Sequence, residues 1–498
     1  MLTYLLEDES TPLYRQIYEN IKNDIVKGNL TPNSKLPSKR SFARNHSIST
    51  ITIQNAYDQL ISEGYVYSIP KKGYYVSDIG NPGKVKRSIN IESHISLDIK
   101  LPKAPPLYEI DLSNNTICPD NFPFSTWAKL MRSTMTDNKN GLMTLAPTGG
   151  IYELRKGIAE HLKSFRGMLV DPDQVIIGAG TEYLYGLLIQ LLGHGQSYCL
   201  ENPGYKKIAD IYRENGVSYT FANVDCNGIV IDDLKKSGAD LVHISPNHHF
   251  PTGITMPASR RYQVLAWANE APARYIIEDD YDSEFRSSGR PIPTLFSIDG
   301  MEKVIYMNTF SKSLSPTIRI SYMILPVHLA NLFYEKLSFY SCTVSNFEQY
   351  TLSAFIEGGY FEKYINRMRM HYQRQRKKVI EIIESSSLKG LFRIIENDSG
   401  LHFLIGLTTN LSDLEISKRL SQRGIGLQAL SEYYFDSVSQ GATDHRGRQS
   451  CHQNFICEFS TELYDKREMR YFILNYSNID LDKLPKACEI IHECINDK

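Results

Sequence analysis

Long apolar runs are missing from the sequence. No stretch of eighteen or more apolar residues occurs, and no basic segment followed by an apolar one leads the chain. We therefore expect neither a membrane-spanning helix nor a signal peptide, and we predict a cytoplasmic protein. The 8 cysteines are scattered, without paired CxxC spacing or a neighbouring histidine cluster of zinc type. Reduced thiols and no metal site are expected.

The composition is that of an ordinary soluble protein with more than one domain. The 498 residues are 42% hydrophobic and 22% charged, so the chain can bury large cores, and its length predicts two or three domains. Residues 1–90 contain 12 Lys and Arg against 8 Asp and Glu, whereas the rest of the chain contains 43 against 48. A basic head before an acidic body favours a polyanionic partner for the head.

The first eighty residues have the pattern of a helix-turn-helix. Apolar residues recur at helical spacing between Leu13 and Ile25, which predicts an amphipathic helix. Two shorter helices are predicted after it, one capped by Ser38 and one starting at Ser49, with the polar turn "NHSI" between them. The segment "YVYSIPKKGYYVSD" then alternates apolar and polar residues around a Lys-Lys-Gly turn, as a two-stranded wing does.

Residues 11–77 resemble the winged helix-turn-helix of the GntR family, in "LPSKR", in "LISEGYV" and in the Gly-aromatic wing. The resemblance implies that the LPSxR arginine, the start of the second short helix and the wing tip contact phosphates and base edges of double-stranded operator DNA. Thr50 and Gln54 stand where some relatives carry arginines. We therefore expect the wing and dimerisation to contribute more of the affinity for DNA. The predicted DNA-binding residues are Arg40, Ser49, Thr50, Thr52, Gln54, Lys71, Lys72 and Gly73.

A linker and a large α/β body follow the head. Residues 78–108 are polar and rich in Pro and Gly, without sustained periodicity, and are predicted to be a linker between a head at 1–77 and a body at 109–498. In the body, helical stretches alternate with short apolar runs such as "QVIIGAG" and "VIYMNTFSK". This alternation predicts a mainly parallel sheet covered by helices, with ligands beyond the carboxyl ends of the strands.

The loops after these runs carry groups that suit one ligand. "GAGTEYLYGLLIQLL" turns through glycines into a helix whose free N–H groups can hold a phosphate. "RYIIEDDYDSEF" offers the carboxylate of Asp279 and the phenol of Tyr281, and "TFSKSLSPTIRI" places hydroxyls and Arg319 beside the amine of Lys312. Pyridoxal 5'-phosphate (PLP) needs a lysine, a carboxylate, a hydroxyl donor and a phosphate site. Each group alone is common in proteins that do not bind PLP.

Residues 110–498 resemble the fold type I aminotransferases. The resemblance implies a PLP-dependent transferase fold, with a large α/β part at about 126–334 and a smaller C-terminal α+β part at about 335–498. Lys312 becomes the catalytic residue, which forms the aldimine with PLP, and Phe250 departs from the family pattern, which has asparagine there. Asn247 or His249 is the candidate substitute. The predicted cofactor-binding residues are Lys312, Asp279 for the ring nitrogen, Tyr281 and Asn247 for the 3'-oxygen, Tyr205 stacked on the ring, and Gly180, Thr181, Thr309, Ser311 and Arg319 around the phosphate.

A GntR-type head joined to an aminotransferase-like body is the arrangement of MocR-type transcriptional regulators, which "PSKRSFA", "IIEDDYDSEF" and "GLHFLIG" also resemble. The resemblance implies a homodimer that binds operator DNA and senses a small amine or amino-acid-like effector through the PLP on Lys312. Two alternatives stay open: PLP itself is the effector, or the body is a working aminotransferase. The segment "GIGLQALSEYYFD" lacks an arginine for an effector carboxylate. The remaining candidates for that role are Lys207, Arg446, Arg448 and Arg470.

Overall fold

The computed structural model describes residue 4 and residues 11–80, 99–102, 104, 106–113, 118–286, 292–395, 400–435 and 468–496. The chain divides into two compact units, 1–104 and 105–498. Most of the predicted linker, residues 81–98, lies outside the described residues. No helix within the described ranges is long and apolar enough to cross a membrane.

The smaller unit is a winged helix-turn-helix. Its elements are α1 (Leu13–Val26), α2 (Lys39–His46), α3 (Thr50–Ser62), β1 (Val66–Ile69) and β2 (Gly73–Val76). β1 and β2 pair antiparallel as the predicted wing. Apolar side chains from all five elements form one core, which explains why the three helices fold around each other. The buried residues of this core are Ile17, Ile21, Ile25, Leu36, Phe42, Ala43, Ile53, Ala56, Tyr57, Leu60, Val66 and Val76.

Both predicted helix starts in this unit are confirmed. Ser38 Oγ accepts the backbone N–H of Ser41 at 3.1 Å. Ser49 Oγ accepts the backbone N–H groups of Ile51 and Thr52 at 3.1 and 3.3 Å. A serine at this position satisfies N–H groups that the first helical turn leaves without a partner, which stabilises a helix by about 1 kcal/mol. The apolar stripe of α1 is shorter than predicted, since Leu13 is exposed.

The larger unit contains the predicted, mainly parallel sheet. Its strands in chain order are β3 (Ile110–Asp111), β4 (Val175–Gly178), β5 (Ser197–Asn202), β6 (Ser218–Asp225), β7 (Gly228–Ile229), β8 (Leu241–Ile244), β9 (Tyr275–Asp279), β10 (Val304–Thr309), β11 (Ser321–Ile324), β12 (Phe392–Ile395), β13 (His402–Thr409), β14 (Ile425–Gly426), β15 (Gln428–Ala429) and β16 (Glu468–Asn475). The main sheet has the order β4-β11-β10-β9-β8-β5-β6-β7. Strands β10, β9, β8, β5 and β6 are parallel, whereas β11 runs antiparallel to both of its neighbours.

Helices of the larger unit cover both faces of this sheet and also pack in the C-terminal part. They are α4 (Phe124–Asp137), α5 (Lys139–Leu142), α6 (Tyr152–Arg166), α7 (Thr181–Leu192), α8 (Lys206–Glu214), α9 (Ile231–Lys236), α10 (Ala258–Asn269), α11 (Leu295–Ile298), α12 (Phe310–Ser313), α13 (Val327–Leu337), α14 (Asn346–Glu357), α15 (Tyr360–Ser385), α16 (Asp413–Gln422) and α17 (Leu484–Asn496). Successive strand residues enter different cores: Ile176 and Ile305 pack with α7 and α13, whereas Ile177 and Tyr306 pack with α6 and α14. Burial on both faces explains why the strands are continuous apolar runs.

A second, antiparallel sheet lies in the C-terminal part of this unit. Its order is β12-β13-β16-β15, and β13 pairs with β16 over their full lengths. The helices α15, α16 and α17 pack around it, and β14 pairs in parallel with β3. This sheet brings His402, the first residue of β13, and Asn475, the last residue of β16, opposite each other.

Candidate functional site

A cavity of about 390 Å³ opens where β4, β5, β8, β9 and β10 end. Parallel strands place their carboxyl ends at one edge of a sheet, and open α/β sheets bind ligands there. The cavity collects most of the cofactor-binding residues that the sequence predicts. Those that line it are Thr181, Tyr205, Asp279, Tyr281, Thr309, Ser311, Lys312 and Arg319.

Lys312 lies on the short helix α12, directly after β10. Thr309 caps this helix by accepting the backbone N–H of Ser311 at 3.1 Å, and Ser321 Oγ donates to Thr309 Oγ1 at 2.7 Å. Burial lowers the pKa of Lys312, and the charge of Asp282 opposes part of this effect. A lysine with a lowered pKa is more often neutral, which is the form that attacks a carbonyl carbon.

Asp279 ends β9 and carries a carboxylate oxygen without a partner. The phenol of Tyr185 donates to Oδ2 at 2.6 Å, whereas Oδ1 is buried and accepts no hydrogen bond. His243 Nε2 lies 3.6 Å from Oδ2 and is also buried without a partner. A buried acceptor without a donor is costly. A ring N–H that enters the cavity would satisfy Oδ1, so this end of the site fits the pyridine nitrogen of PLP.

Tyr281 follows β9 and is tied to a histidine and a second carboxylate. Its hydroxyl lies 3.1 Å from Nδ1 of His248, and the same nitrogen lies 2.9 Å from both carboxylate oxygens of Asp282. Burial raises the pKa of Tyr281 well above its ordinary value, and the nearby acidic side chains add to this effect. The phenol therefore keeps its hydrogen and can donate it to an oxygen in the cavity.

The phosphate end of the site is formed by the start of α7 and by Arg319. Gly180 precedes α7 with φ 94°, and no side chain caps the helix, which leaves its first N–H groups available. A Cβ atom on Gly180 would lie 2.3 Å from Nη2 of Arg319, so a larger residue would displace the guanidinium from its present position. Glu182, in the first turn of α7, pairs with Arg319 at 3.4 Å and also with Lys207. The arrangement fits an anion such as a phosphate.

The two candidates for replacing the usual asparagine do not line the cavity. Asn247 Oδ1 accepts from Arg261 Nη2 at 3.0 Å, and its amide nitrogen lies 3.5 Å from Glu278, so its side chain is used inside the protein. His249 Nδ1 contacts the hydroxyl of Thr252 at 2.6 Å. The reason is local: the buried guanidinium of Arg261 needs acceptors, and Asn247 is one of them.

Aromatic side chains close the cavity on the side of Tyr205. The ring of Phe250, the residue that departs from the family pattern, meets the edge or face of Tyr205 at 5.7 Å, Tyr433 at 5.1 Å and His402 at 5.4 Å between ring centroids. Tyr433 and His402 belong to the C-terminal part of the chain and also line the cavity. The cavity is therefore shared between the main sheet and the C-terminal part.

Four functional candidates were missing from the sequence prediction: Tyr185, Glu201, His243 and His402. Glu201 is the penultimate residue of β5 and accepts the backbone N–H of Ser245 at 3.0 Å. Burial raises its pKa to about 8. Two of these four residues could have been predicted from the sequence: Tyr185 lies one helical turn after Thr181, and Glu201 directly follows an apolar run. His402 carried no local signal, because it reaches the cavity only through the second sheet.

The candidate partners for an effector carboxylate have different positions. Lys207, two residues after Tyr205, lines the cavity, but its amine pairs with Glu182. Arg470 lies on β16, donates from Nε to the carbonyl of Leu411 at 3.1 Å, and is not among the residues that line the cavity. Arg446 and Arg448, and the polar segment 437–454 that contains them, lie outside the described residues.

The predicted DNA-binding residues lie on the surface of the head. Arg40 is exposed on α2, Ser49 and Thr50 are exposed at the start of α3, and Gln54 is exposed on the next turn of that helix. Thr52 is partly buried, and the hydroxyl of Ser49 is already used as the cap. The wing turn carries the exposed side chains of Lys71 and Lys72 and the partly buried Gly73.

Fold and cavity together define the class: a winged helix-turn-helix regulator whose body has the aminotransferase fold. The family description "Bacterial regulatory proteins, gntR family" matches residues 13–76, and "Aminotransferase class I and II" matches residues 109–453. The chain belongs to the MocR-type regulators, which combine a DNA-binding GntR domain with an aminotransferase-like domain.

Individual relatives agree with this assignment. The HTH-type transcriptional regulator YhdI of Bacillus subtilis (strain 168) is 36% identical over 87% of this chain and 92% of its own length. The probable rhizopine catabolism regulatory protein MocR of Rhizobium meliloti is 30% identical over 87% and 89%. The structure of kynurenine aminotransferase from Pyrococcus horikoshii superposes with a TM-score of 0.64 at 22% identity, covering 81% of this chain and 96% of that chain. This last likeness concerns the fold.

Proposed function

We propose that this regulator binds PLP in the cavity, covalently at Lys312, and senses a small amine or amino-acid-like effector there. The observation that carries the proposal is the buried Oδ1 of Asp279, which has no hydrogen-bond partner. Asp279 lines the same cavity as Lys312, whose pKa is lowered. When bound, PLP supplies an electrophilic carbon that reacts with primary amines.

Each side chain around the cavity has one task in this proposal. Asp279 accepts the hydrogen of the ring nitrogen, and Tyr281 donates to the 3'-oxygen. Tyr205 covers one face of the ring. The start of α7 and the guanidinium of Arg319 hold the phosphate, while the missing side chain of Gly180 keeps space for that guanidinium.

Sensing requires that the effector distinguishes two states of the protein. The effector's amine takes the place of the Lys312 amine, and the rest of the molecule contacts His402 and Tyr433, which line the cavity from the C-terminal part. An effector that contacts both the main-sheet side and the C-terminal side of the cavity favours the conformation in which these two sides are closest. A ligand with equal affinity for both arrangements would shift nothing, so these C-terminal contacts are the source of the response.

A homodimer on paired operator half-sites completes the proposal. Two adjoining segments of the body expose large apolar side chains, Met143 and Leu145 on one, Phe339 and Tyr340 on the other. Thr148 connects the segments, since its hydroxyl donates to backbone carbonyls of the second one. Neighbouring exposed apolar side chains of this kind are typical of a protein interface.

The test compares the response of DNA binding in two lysine variants. Lys312→Ala removes the amine in the cavity, whereas Lys303→Ala removes a partly buried lysine whose pKa burial also lowers and which donates to the carbonyls of Ala271 and Pro272. Affinity is measured on genomic DNA fragments selected by the wild-type protein, with PLP and a panel of amines and amino acids. We expect wild type and Lys303→Ala to change their affinity with one class of amine, and Lys312→Ala to bind DNA without responding.

The same assay separates the alternatives. A change in DNA affinity on addition of PLP alone, without any amine, would make PLP itself the effector. Sustained conversion of an amino acid and a keto acid, independent of DNA, would make the body an aminotransferase. A response that persists in Lys312→Ala contradicts covalent sensing.

A further inference from the structure

His248 and Asp282 form a buried pair next to the cavity wall. Both residues are 2% exposed and neither lines the cavity, whereas Tyr281 does. Nδ1 of His248 lies 2.9 Å from each oxygen of Asp282 and 3.1 Å from the hydroxyl of Tyr281. A buried histidine–carboxylate pair therefore contacts the hydroxyl group of a residue that lines the cavity.

The positions of the hydrogens follow from the chemistry of the three groups. The carboxylate of Asp282 can only accept, so the hydrogen in its contact with His248 belongs to Nδ1. A nitrogen that carries a hydrogen cannot accept one from Tyr281. The phenol oxygen of Tyr281 is then an acceptor toward His248, and its own hydrogen is left to point elsewhere. Since Tyr281 lines the cavity, a ligand bound there could accept that hydrogen.

We propose that His248 and Asp282 are a positioning pair, which holds Tyr281 as a hydrogen-bond donor into the cavity. The inference rests on the proposed PLP site, where the acceptor is the 3'-oxygen of the cofactor. A donor fixed in advance toward that oxygen stabilises its anionic form more than a phenol that can turn toward another acceptor. The pair thereby sets the charge state of the bound cofactor without touching it.

The C-terminal part of the chain covers this pair. A Cβ atom on Gly400 would lie 1.9 Å from Cε1 of His248 and 2.6 Å from Oδ2 of Asp282, so Gly400 packs directly on both. Its carbonyl accepts the hydroxyl of the buried Tyr476. The ring of His402 lies 4.6 Å from the ring of His248. A movement of the C-terminal part that contains Gly400 and His402 would displace His248 and Asp282. Such a movement would therefore change the hydrogen bond from Tyr281 and, with it, the charge state of the bound cofactor.

Several titratable groups among the described residues surround the pair, and the charge of Asp282 also acts on Lys312 and Tyr476. Asp282, Tyr281 and His402 contact or face His248 directly. Burial lowers the pKa of His402 well below its ordinary value, and the charges of His248, His249 and Lys312 act in the same direction. His402 is therefore neutral, and Asp282 is the hydrogen-bond acceptor for Nδ1 of His248.

The first test measures the preference of the full-length protein for PLP over an analogue in which hydrogen replaces the ring hydroxyl. Wild type should prefer PLP, and Tyr281→Phe should lose about tenfold or more of this preference. His248→Phe should lose the same amount. His248→Asn places an amide nitrogen at the position of Nδ1 and should restore most of the preference. His161→Phe, a change at a largely enclosed histidine that stacks on Phe165, should leave it unchanged.

A second variant keeps the inference testable if His248→Phe does not fold. Asp282→Asn preserves the shape of the side chain but removes the charge that requires a hydrogen on Nδ1, so Tyr281 can turn its hydrogen toward His248. The visible absorption of bound PLP, titrated against pH, should then change with a midpoint about one to two pH units higher than in wild type. Tyr281→Phe should show the same shift, and the double variant Tyr281→Phe/Asp282→Asn should show no more.

The outcomes separate this inference from the proposal on which it rests. If wild type does not bind PLP, both are overturned. If PLP binds but His248→Phe and Asp282→Asn keep the wild-type preference and midpoint, only the positioning pair is overturned. Both measurements are repeated in EDTA, because ligand atoms of His248, Asp282 and His402 lie within 4.8 Å of one another. Loss of the wild-type preference in EDTA would replace the hydrogen-bonded pair with a bound cation.

Discussion

Gly180 and Arg319 are in such close contact that a Cβ atom on Gly180 would lie 2.3 Å from Nη2 of Arg319. The guanidinium lies against the backbone of Gly180 and also pairs with Glu182. If the guanidinium belongs to the phosphate site, the smallest enlargement of Gly180 should weaken cofactor binding.

Gly180→Ala is predicted to reduce the affinity for PLP by about tenfold or more. The added methyl group would displace the guanidinium of Arg319 from the proposed phosphate contact, and a hydrogen bond to a charged group is worth about 1.5–3 kcal/mol. Gly193→Ala is the matched control. It lies at the other end of α7, has the same φ of 94°, and a Cβ atom there meets nothing within 4 Å. Both variants carry the same backbone strain, so a fluorescence titration with PLP isolates the contact with Arg319. Equal losses in the two variants would assign the effect to strain alone.

Tyr185→Phe is predicted to destabilise the protein without PLP by about 1–3 kcal/mol, because the buried carboxylate of Asp279 loses the donor that lies 2.6 Å from Oδ2. Tyr198→Phe provides the control, since the hydroxyl of Tyr198 is buried and has no partner. Its removal should be neutral or stabilising. Urea unfolding of the two variants, followed by tryptophan fluorescence, measures the difference, and equal midpoints would show that the bond to Asp279 contributes nothing.

The buried Glu201 predicts a pH dependence of stability. Burial raises its pKa to about 8, above the value of an exposed glutamate, so the folded protein holds a proton that the unfolded chain releases between about pH 4.5 and pH 8. The contribution of Glu201 therefore becomes less favourable as the pH rises through this range. Glu201→Gln should match wild type near pH 5 and exceed it by about 2–4 kcal/mol at pH 9.

Urea unfolding of wild type and Glu201→Gln at several pH values tests this prediction. The difference between the two proteins isolates Glu201 from the other buried carboxyl groups, such as Glu278 and Glu284, whose pKa values burial raises to about 7. A constant difference from pH 5 to pH 9 would show that Glu201 binds protons equally in the folded and unfolded protein over this range, which contradicts the raised pKa.

Arg40→Ala is predicted to weaken DNA binding and leave PLP binding unchanged. Loss of one phosphate contact should reduce the dependence of log affinity on log salt concentration by about one. Arg15→Ala is the control, since Arg15 is also exposed in the head but pairs with Glu19 at 3.0 Å. An electrophoretic mobility shift at several salt concentrations measures both slopes. Identical slopes for the two variants would exclude Arg40 from the DNA interface.

The sequence predicted the parts of the site that follow a strand directly. Asp279, Tyr281 and Lys312 each lie at or within three residues of the end of a strand, so the local pattern placed them at the correct edge of the sheet. The strands β6 and β7 were not predicted. β6 lies near the end of the sheet, and several of its side chains are partly or fully exposed, so it lacks the continuous apolar run of the central strands.

Contacts between distant residues limited the rest of the prediction. Asn247 looked available in the sequence, but Arg261, fourteen residues later, holds its oxygen. His402 and Tyr433 reach the cavity through the second sheet and the turn after it, and no local pattern gives their position. Whether β11 runs parallel or antiparallel is likewise set by its short connection to β10, since antiparallel neighbours need no crossover helix.

The central claim is that Lys312 holds PLP and releases it to an effector amine. The most direct measurement is the visible absorbance spectrum of the purified full-length protein with PLP, recorded before and after addition of a panel of amines and amino acids, for wild type and for Lys312→Ala. We predict a visible band in wild type that shifts with one class of amine, and no such protein-bound band in Lys312→Ala. A wild-type spectrum identical to that of free PLP would contradict the account.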